Sequence, residues 1–138
     1  MSVPPKWFTP VAILALLWNL LGASAYLMDV TISPEAVAKM GIAEQAMYAS
    51  RPVWFVAAYA CAVWFGVAGS LALLLRKRWA KPLFVLSLLG LIAQDIALFS
   101  RPEVRGDLVV IFLQGLVFAI ALSLLMLSRK AEREGWLG

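Results

Sequence analysis

Residues 82–99 read PLFVLSLLGLIAQDIALF, an apolar run whose one formal charge, Asp95, follows Gln94 directly. A run of this length makes a helix about 27 Å long, enough to span a bilayer's hydrocarbon. A carboxylate at the centre of such a helix costs about 2.5–3.5 kcal/mol on insertion scales. Asp95 therefore asks for a physical reason. So does its amide neighbour.

Three further apolar runs flank this one, at about residues 7–28, 52–75 and 108–128. With the run at 82–99 they make four spans in one domain, residues 1–138. The composition agrees: 63% of the 138 residues are hydrophobic and 14% charged, against about 45–50% and about 25% in soluble domains. The expected fold is all-α, an integral membrane four-helix bundle. Lys6 followed by an apolar core and Ala23-Ser24-Ala25 also has the outline of a secretory signal. The core is long for a signal, which favours an uncut anchor.

The net charge is +4, but the basic residues flank apolar runs, which is a topology signal and not nucleic-acid chemistry. Arg76, Lys77, Arg78 and Lys81 form the tightest basic cluster, with Lys6 and the group Arg129, Lys130 and Arg133 elsewhere. Placing all of these in the cytoplasm requires four spans with both termini inside. The Asp29–Arg51 connection then lies outside. Within it, Ser33-Pro34-Glu35 is a helix start and Gly41 a stop. Val37, Met40, Ile42, Met47 and Tyr48 give it an apolar side, as in short helices lying at the interface. A lid over a site is the alternative. Trp7, Trp54, Trp79 and Trp136 fall near the expected interfaces. A weak echo joins the halves: Leu20-Leu21-Gly22 before Pro34-Glu35, and Leu88-Leu89-Gly90 before Pro102-Glu103.

Much catalytic chemistry is excluded. There is no His and a single Cys, Cys61. No intrachain disulfide, Cys/His zinc site, His-ligated haem or His-based triad can be built. The glycines are scattered singly, so no phosphate loop appears. An acid–base role for Asp95 needs a second acid or His at its depth, and none is there. The expectation is no enzyme, no metal and no cofactor, with Cys61 a small packing residue.

Two stripes of small residues recur every fourth position. One is Ala58, Ala62, Gly66 and Ser70; the other is Gly115, Ala119 and Ser123. Such stripes let helix backbones approach closely in lipid, in one chain or between copies. Polar residues also cluster by depth. At 1.5 Å per residue, Asp95, Gln94 and Gln114 lie about 9–10 Å inside the outer helix ends, Tyr59 about 12 Å and Asn19 about 15 Å. Ser87, Gly90, Gln94 and Ala97 share one face, and Asp95 lies about 100° round from it. Asn19, Tyr59, Gln94, Asp95 and Gln114 are thus either one ligand site open to the outside or the hydrogen bonds that hold four helices together.

The segments WNLLGASAYLMD (18–29), TISPEA (31–36), EQAMYASRP (44–52), RKRWAKPLFVLSLL (76–89) and EGWL (134–137) carry a resemblance. Together they resemble a family of small bacterial four-span proteins often labelled "sugar transporter" or simply "membrane protein". The resemblance covers most of the first three spans and the last residues. It implies a four-helix protein of the bacterial inner membrane and brings no binding residues with it. The functional expectation is a transporter-like protein with a small-molecule ligand, working as a homo-oligomer in the bilayer. The alternative is an accessory or assembly subunit of a larger membrane complex.

Overall fold

Helix starts and stops in this chain follow from local chemistry. The computed structural model describes residues 3–49 and 51–138, without the side chains of residues 43, 44, 46, 47 and 103. The apolar contribution expected of Met47 and the Glu103 part of the sequence echo lie outside these described residues. Among them, seven helices follow in order: α1 (Phe8–Val30), α2 (Pro34–Ala38), α3 (Ile42–Ala49), α4 (Val53–Leu74), α5 (Ala80–Phe99), α6 (Pro102–Arg105) and α7 (Leu108–Arg133). The four long ones, α1, α4, α5 and α7, are each apolar and long enough to cross a membrane. This is the architecture of a multi-pass membrane protein.

Two boundaries depart from the sequence expectation. Helix α5 begins at Ala80, before Pro82. A proline in the first turn costs no hydrogen bond, because N–H groups there have no intrahelical partner. Helix α7 runs past 128 to Arg133, with Lys130 and Arg133 in its last turn. Cations suit the negative end of the helix dipole, so the basic stretch extends the helix. The start of α7 is fixed by Asp107, whose Oδ1 accepts from the N–H groups of Val109 at 3.0 Å and Val110 at 3.3 Å. At α2, Ser33 Oγ accepts from the Ala36 N–H at 3.1 Å, the cap expected there.

The long helices pack in chain order: α1 along α4, α4 along α5, and α5 along α7. The tightest contact is α4 with α5. A Cβ placed on Gly90 would lie 2.8 Å from the Ala62 nitrogen and 2.9 Å from the Ala58 oxygen. The first small-residue stripe thus receives the backbone of α5. The second stripe behaves differently. Gly115, Ala119 and Ser123 are exposed, and space around Gly115 is open. Within the chain they pack against no helix. Cys61 is exposed, with its Cβ at the contact of α4 with Gly90.

One end of the bundle, here called the base, is closed by residues 135–138. Helix α7 ends in a Schellman motif: Gly135 has φ 74°, and the Trp136 N–H donates to the Ala131 oxygen at 2.8 Å. Helix α4 ends likewise, with the Lys77 N–H on the Ala72 oxygen at 2.8 Å and Arg76 at φ 59°. The two ends interlock. Arg76 Nε donates to the Trp136 oxygen at 3.0 Å, and the Gly138 N–H to the Arg76 oxygen at 2.7 Å. Trp136 is buried, with its ring 5.6 Å from Phe8 and 5.9 Å from Trp7. The expected interfacial tryptophan is therefore a plug joining the start of α1 to the end of α7. Phe8, Ala12, Leu73, Ala80, Phe84, Leu124 and Leu137 complete this core.

The opposite end, the crown, carries the 31–52 connection. Arg51 Nη1 bonds Asp29 Oδ2 at 2.6 Å, and its guanidinium lies 4.4 Å from the Tyr48 ring centre. The Tyr48 hydroxyl donates to the Asp29 carbonyl at 3.3 Å. These contacts tie the end of α3 to the end of α1.

Candidate functional site

The polar residues of the sequence layer divide by what they touch. Asn19 is committed to helix packing. Its Nδ2 donates to the Ala15 oxygen at 2.8 Å and to Ser70 Oγ on α4 at 2.9 Å. Its Oδ1 occupies the space that a Cβ at Gly66 would need. Glycine at that position of the stripe is what admits the Asn19 amide between α1 and α4. Ser87 Oγ donates to the Ala62 carbonyl at 2.6 Å and links α5 to α4. These bonds hold helices together, as polar side chains do in spans.

Gln94, Gln114 and Tyr59 are not committed in this way. Gln94 is only 8% exposed, on the buried face shared with Ser87, Gly90 and Ala97. It makes no side-chain hydrogen bond among the described residues. Gln114 Oε1 is buried and likewise has no partner. The Tyr59 hydroxyl bonds to no described group. Its ring stands edge-on to Tyr26 at 5.0 Å and tilted to Phe55 at 6.4 Å. A buried polar group without a partner costs about 1–3 kcal/mol, so native structures seldom leave one without a purpose.

All three line one cavity of about 280 Å³, with Asn19, Trp18, Gly22, Gly66, Ser87 and apolar side chains of all four long helices. Leu91, Val117, Ile120 and Leu124 are among the apolar walls. Among the described residues, none that lines it is charged. The chemistry offered is donor and acceptor groups on an apolar ground, the usual make-up of a small-molecule site.

Asp95 is not among the lining residues. Successive helix residues point about 100° apart. Turning Gln94 into the bundle therefore turns Asp95 to its margin. There Oδ1 is buried without a hydrogen bond, and no described cation pairs with the carboxylate. The sequence grouped these neighbours by depth alone, and depth does not distinguish faces. The signal that separates them was present in the 3-4-3 spacing of Ser87, Gly90, Gln94 and Ala97.

The cavity lies below the crown, at about the depth counted along the helices. Its lining stops five or six residues short of the crown ends of α1, α4, α5 and α7, which is about 8–9 Å of helix. Among the described residues, none of the 31–49 connection lines it. A second groove, of about 270 Å³, lies beside α3, lined by Met40, Tyr48, Arg51, Phe55, Leu98 and Arg101 among others. Sequence reasoning did not anticipate it, since its residues come from three separate segments. Compared with known protein families, with curated proteins and with solved structures, the chain matches none.

Proposed function

We propose that the protein is a transporter-like membrane protein that binds a small uncharged molecule in the cavity between its four long helices. The observation that carries this reading is Gln94: nine-tenths buried, on the cavity wall and, among the described residues, without a hydrogen-bond partner. Gln114 and the Tyr59 hydroxyl add two more groups free to bind a ligand, while Asn19 shapes the wall. The lack of any charge in the lining disfavours ionic solutes, because an unpaired charge in an apolar site is costly. Asp95 is left out of the binding set.

In this reading the base faces the bacterial cytoplasm, placing the Arg76–Lys81 cluster by the positive-inside bias. The α2–α3 segment lies at the outer interface. The exposed small-residue face of α7 meets another copy. The test is uptake of radiolabelled neutral solutes, such as glycerol and pentitols, by proteoliposomes. Gln94→Leu with Gln114→Leu removes both free amides at similar side-chain size and should abolish uptake. Identical uptake by wild type and double variant for every transported solute would sink the proposal.

A second reading is an accessory subunit of a larger complex. One observation favours it: α7 has no buried residue between Leu108 and Ser123, and Leu108, Val109, Phe112 and Leu113 are all exposed. Purification in mild detergent would then recover a stoichiometric second protein.

A further inference from the structure

The cavity has an unusual boundary. Three seams of the bundle, α1/α4, α4/α5 and α5/α7, are packed; α1 and α7 have no comparable contact, yet both line the cavity. The buried residues of α7 are Leu124, Ser128 and Ala131, all in its basal half, and Phe8 meets Trp136 there. Towards the crown, α7 buries no residue from Leu108 to Ser123. Leu21 is a lining residue and is 65% exposed, so the wall of the cavity is also an outer surface of the bundle. A membrane surrounds that surface at this depth. The lining ends below the crown, where Tyr59 stands edge-on to Tyr26 and tilted to Phe55.

We propose that the cavity opens sideways to the bilayer between α1 and α7 and takes an uncharged, hydroxyl-bearing single-chain amphiphile of the monoacylglycerol type. The proposal rests on the binding role given above to Gln94 and Gln114, and it names the class of ligand and its route. The head's hydroxyls and ester oxygens meet the two amides and the Tyr59 hydroxyl. The volume sets the division of the ligand. About 280 Å³ is roughly nine waters at about 30 Å³ each. That accommodates a glycerol head and a few methylenes, not a long chain. The rest of the chain leaves through the seam and lies against Leu21, Leu17 and Leu14, which are 65%, 56% and 64% exposed along α1. A carboxylate or phosphate head would meet no cation in the lining and is rejected by the cost of an unpaired buried charge.

The experiment uses the full chain in phosphatidylcholine nanodiscs carrying a trace of photoreactive monoacylglycerol, with the fatty acid of the same chain as its charged counterpart. Cross-links are mapped to peptides covering 18–25 and 114–124. The neutral probe should label these at least about tenfold more than the acid, the ratio set by about 1.4 kcal/mol of discrimination. Gly22→Leu should block labelling there. A Cβ at Gly22 meets nothing within 4 Å, and the residue lines the cavity, so the larger side chain takes up space there. Gln94→Leu should lower labelling by about 2- to 10-fold, as the loss of one hydrogen bond does. Equal labelling by the acid would overturn the neutral-head assignment. Labelling that Gly22→Leu abolishes but Gln94→Leu and Gln114→Leu leave unchanged would overturn the amide site itself. Tritiated glycerol uptake that needs Gln94, without any cavity labelling by the bilayer probe, would overturn the sideways route and leave the amide site standing.

Discussion

Gly90→Ala is the sharpest test of how the bundle is held together. The added Cβ would sit 2.8 Å from the Ala62 nitrogen, 2.9 Å from the Ala58 oxygen and 2.9 Å from Cys61 Cβ. Ordinary van der Waals contact begins near 3.4 Å, so about 0.6 Å must be found. Two of the three atoms are backbone in the middle of a helix and cannot turn away as a side chain tip would. The relief must come from separating α4 and α5. Overpacking of this kind costs about 1–3 kcal/mol, and rigid backbone on both sides argues for the upper half. Alanine is the better helix former by about 0.8–1.0 kcal/mol, which offsets part of the loss. The net expectation is destabilisation by about 1–2 kcal/mol. The assay is reversible unfolding in mixed detergent micelles, followed by helical circular dichroism against the mole fraction of SDS. Gly22→Ala serves as the control, because its Cβ meets open space. It should be neutral or stabilising. A Gly90→Ala protein as stable as the Gly22→Ala protein would refute the close packing of α5 on the small-residue stripe.

Three further outcomes follow from single residues. Asp95→Asn should raise stability by about 1–3 kcal/mol, since a half-buried carboxylate with an unsatisfied Oδ1 loses its charge. A loss of stability in the same unfolding assay would show that the carboxylate has a partner. Arg76 sits at φ 59°; Arg76→Gly and Arg76→Ala lose the same side-chain contacts, but only glycine is at ease there. The glycine variant should be the more stable by about 1 kcal/mol, and equal denaturation midpoints would count against this account of the α4 end. Under the proposed pairing of copies through α7, Gly115→Leu should leave the stability of the single chain within about 0.5 kcal/mol while removing a dimer that chemical cross-linking captures from the parent protein. A dimer band that survives the substitution would rule out the α7 face as the contact between copies.

The aromatic stack at the crown and the plug at the base show how differently two ends of one chain can be read. Ser33-Pro34-Glu35 announced α2, because an N-cap hydroxyl and a first-turn proline act within one turn of chain. Trp136 could not be read in the same way. An amphipathic ring near the end of a span suits an interface, and only the fold-back after Gly135, with its hydrogen bonds to Arg76 and Arg78, takes the ring into the core. The amides show the same limit. That Asn19, Gln94 and Gln114 lie at similar depth followed from counting residues. That Asn19 gives an N–H to Ser70 on α4, while Gln94 and Gln114 give none to a described neighbour, depends on which helix faces which.

The run at 82–99 determined a great deal. Its length, its apolar character and its three counterparts settle the number of membrane-competent helices, since burial of backbone in lipid demands continuous helix of about twenty residues. The spacing of Ser87, Gly90, Gln94 and Ala97 settles which face of α5 turns inward, by helical period alone. Tertiary structure decided the rest. It packed three of the four seams and left α1 and α7 without a comparable contact. It put Gln94 on the cavity and Asp95 beside it, outside. The physical reason is that the period of a helix is local, whereas a cavity is the space left between helices. That space is set by Gly66 admitting Asn19, by Gly90 meeting Ala58 and Ala62, and by the plug at Trp136. Those are contacts between residues far apart in the chain, and no stretch of sequence contains them.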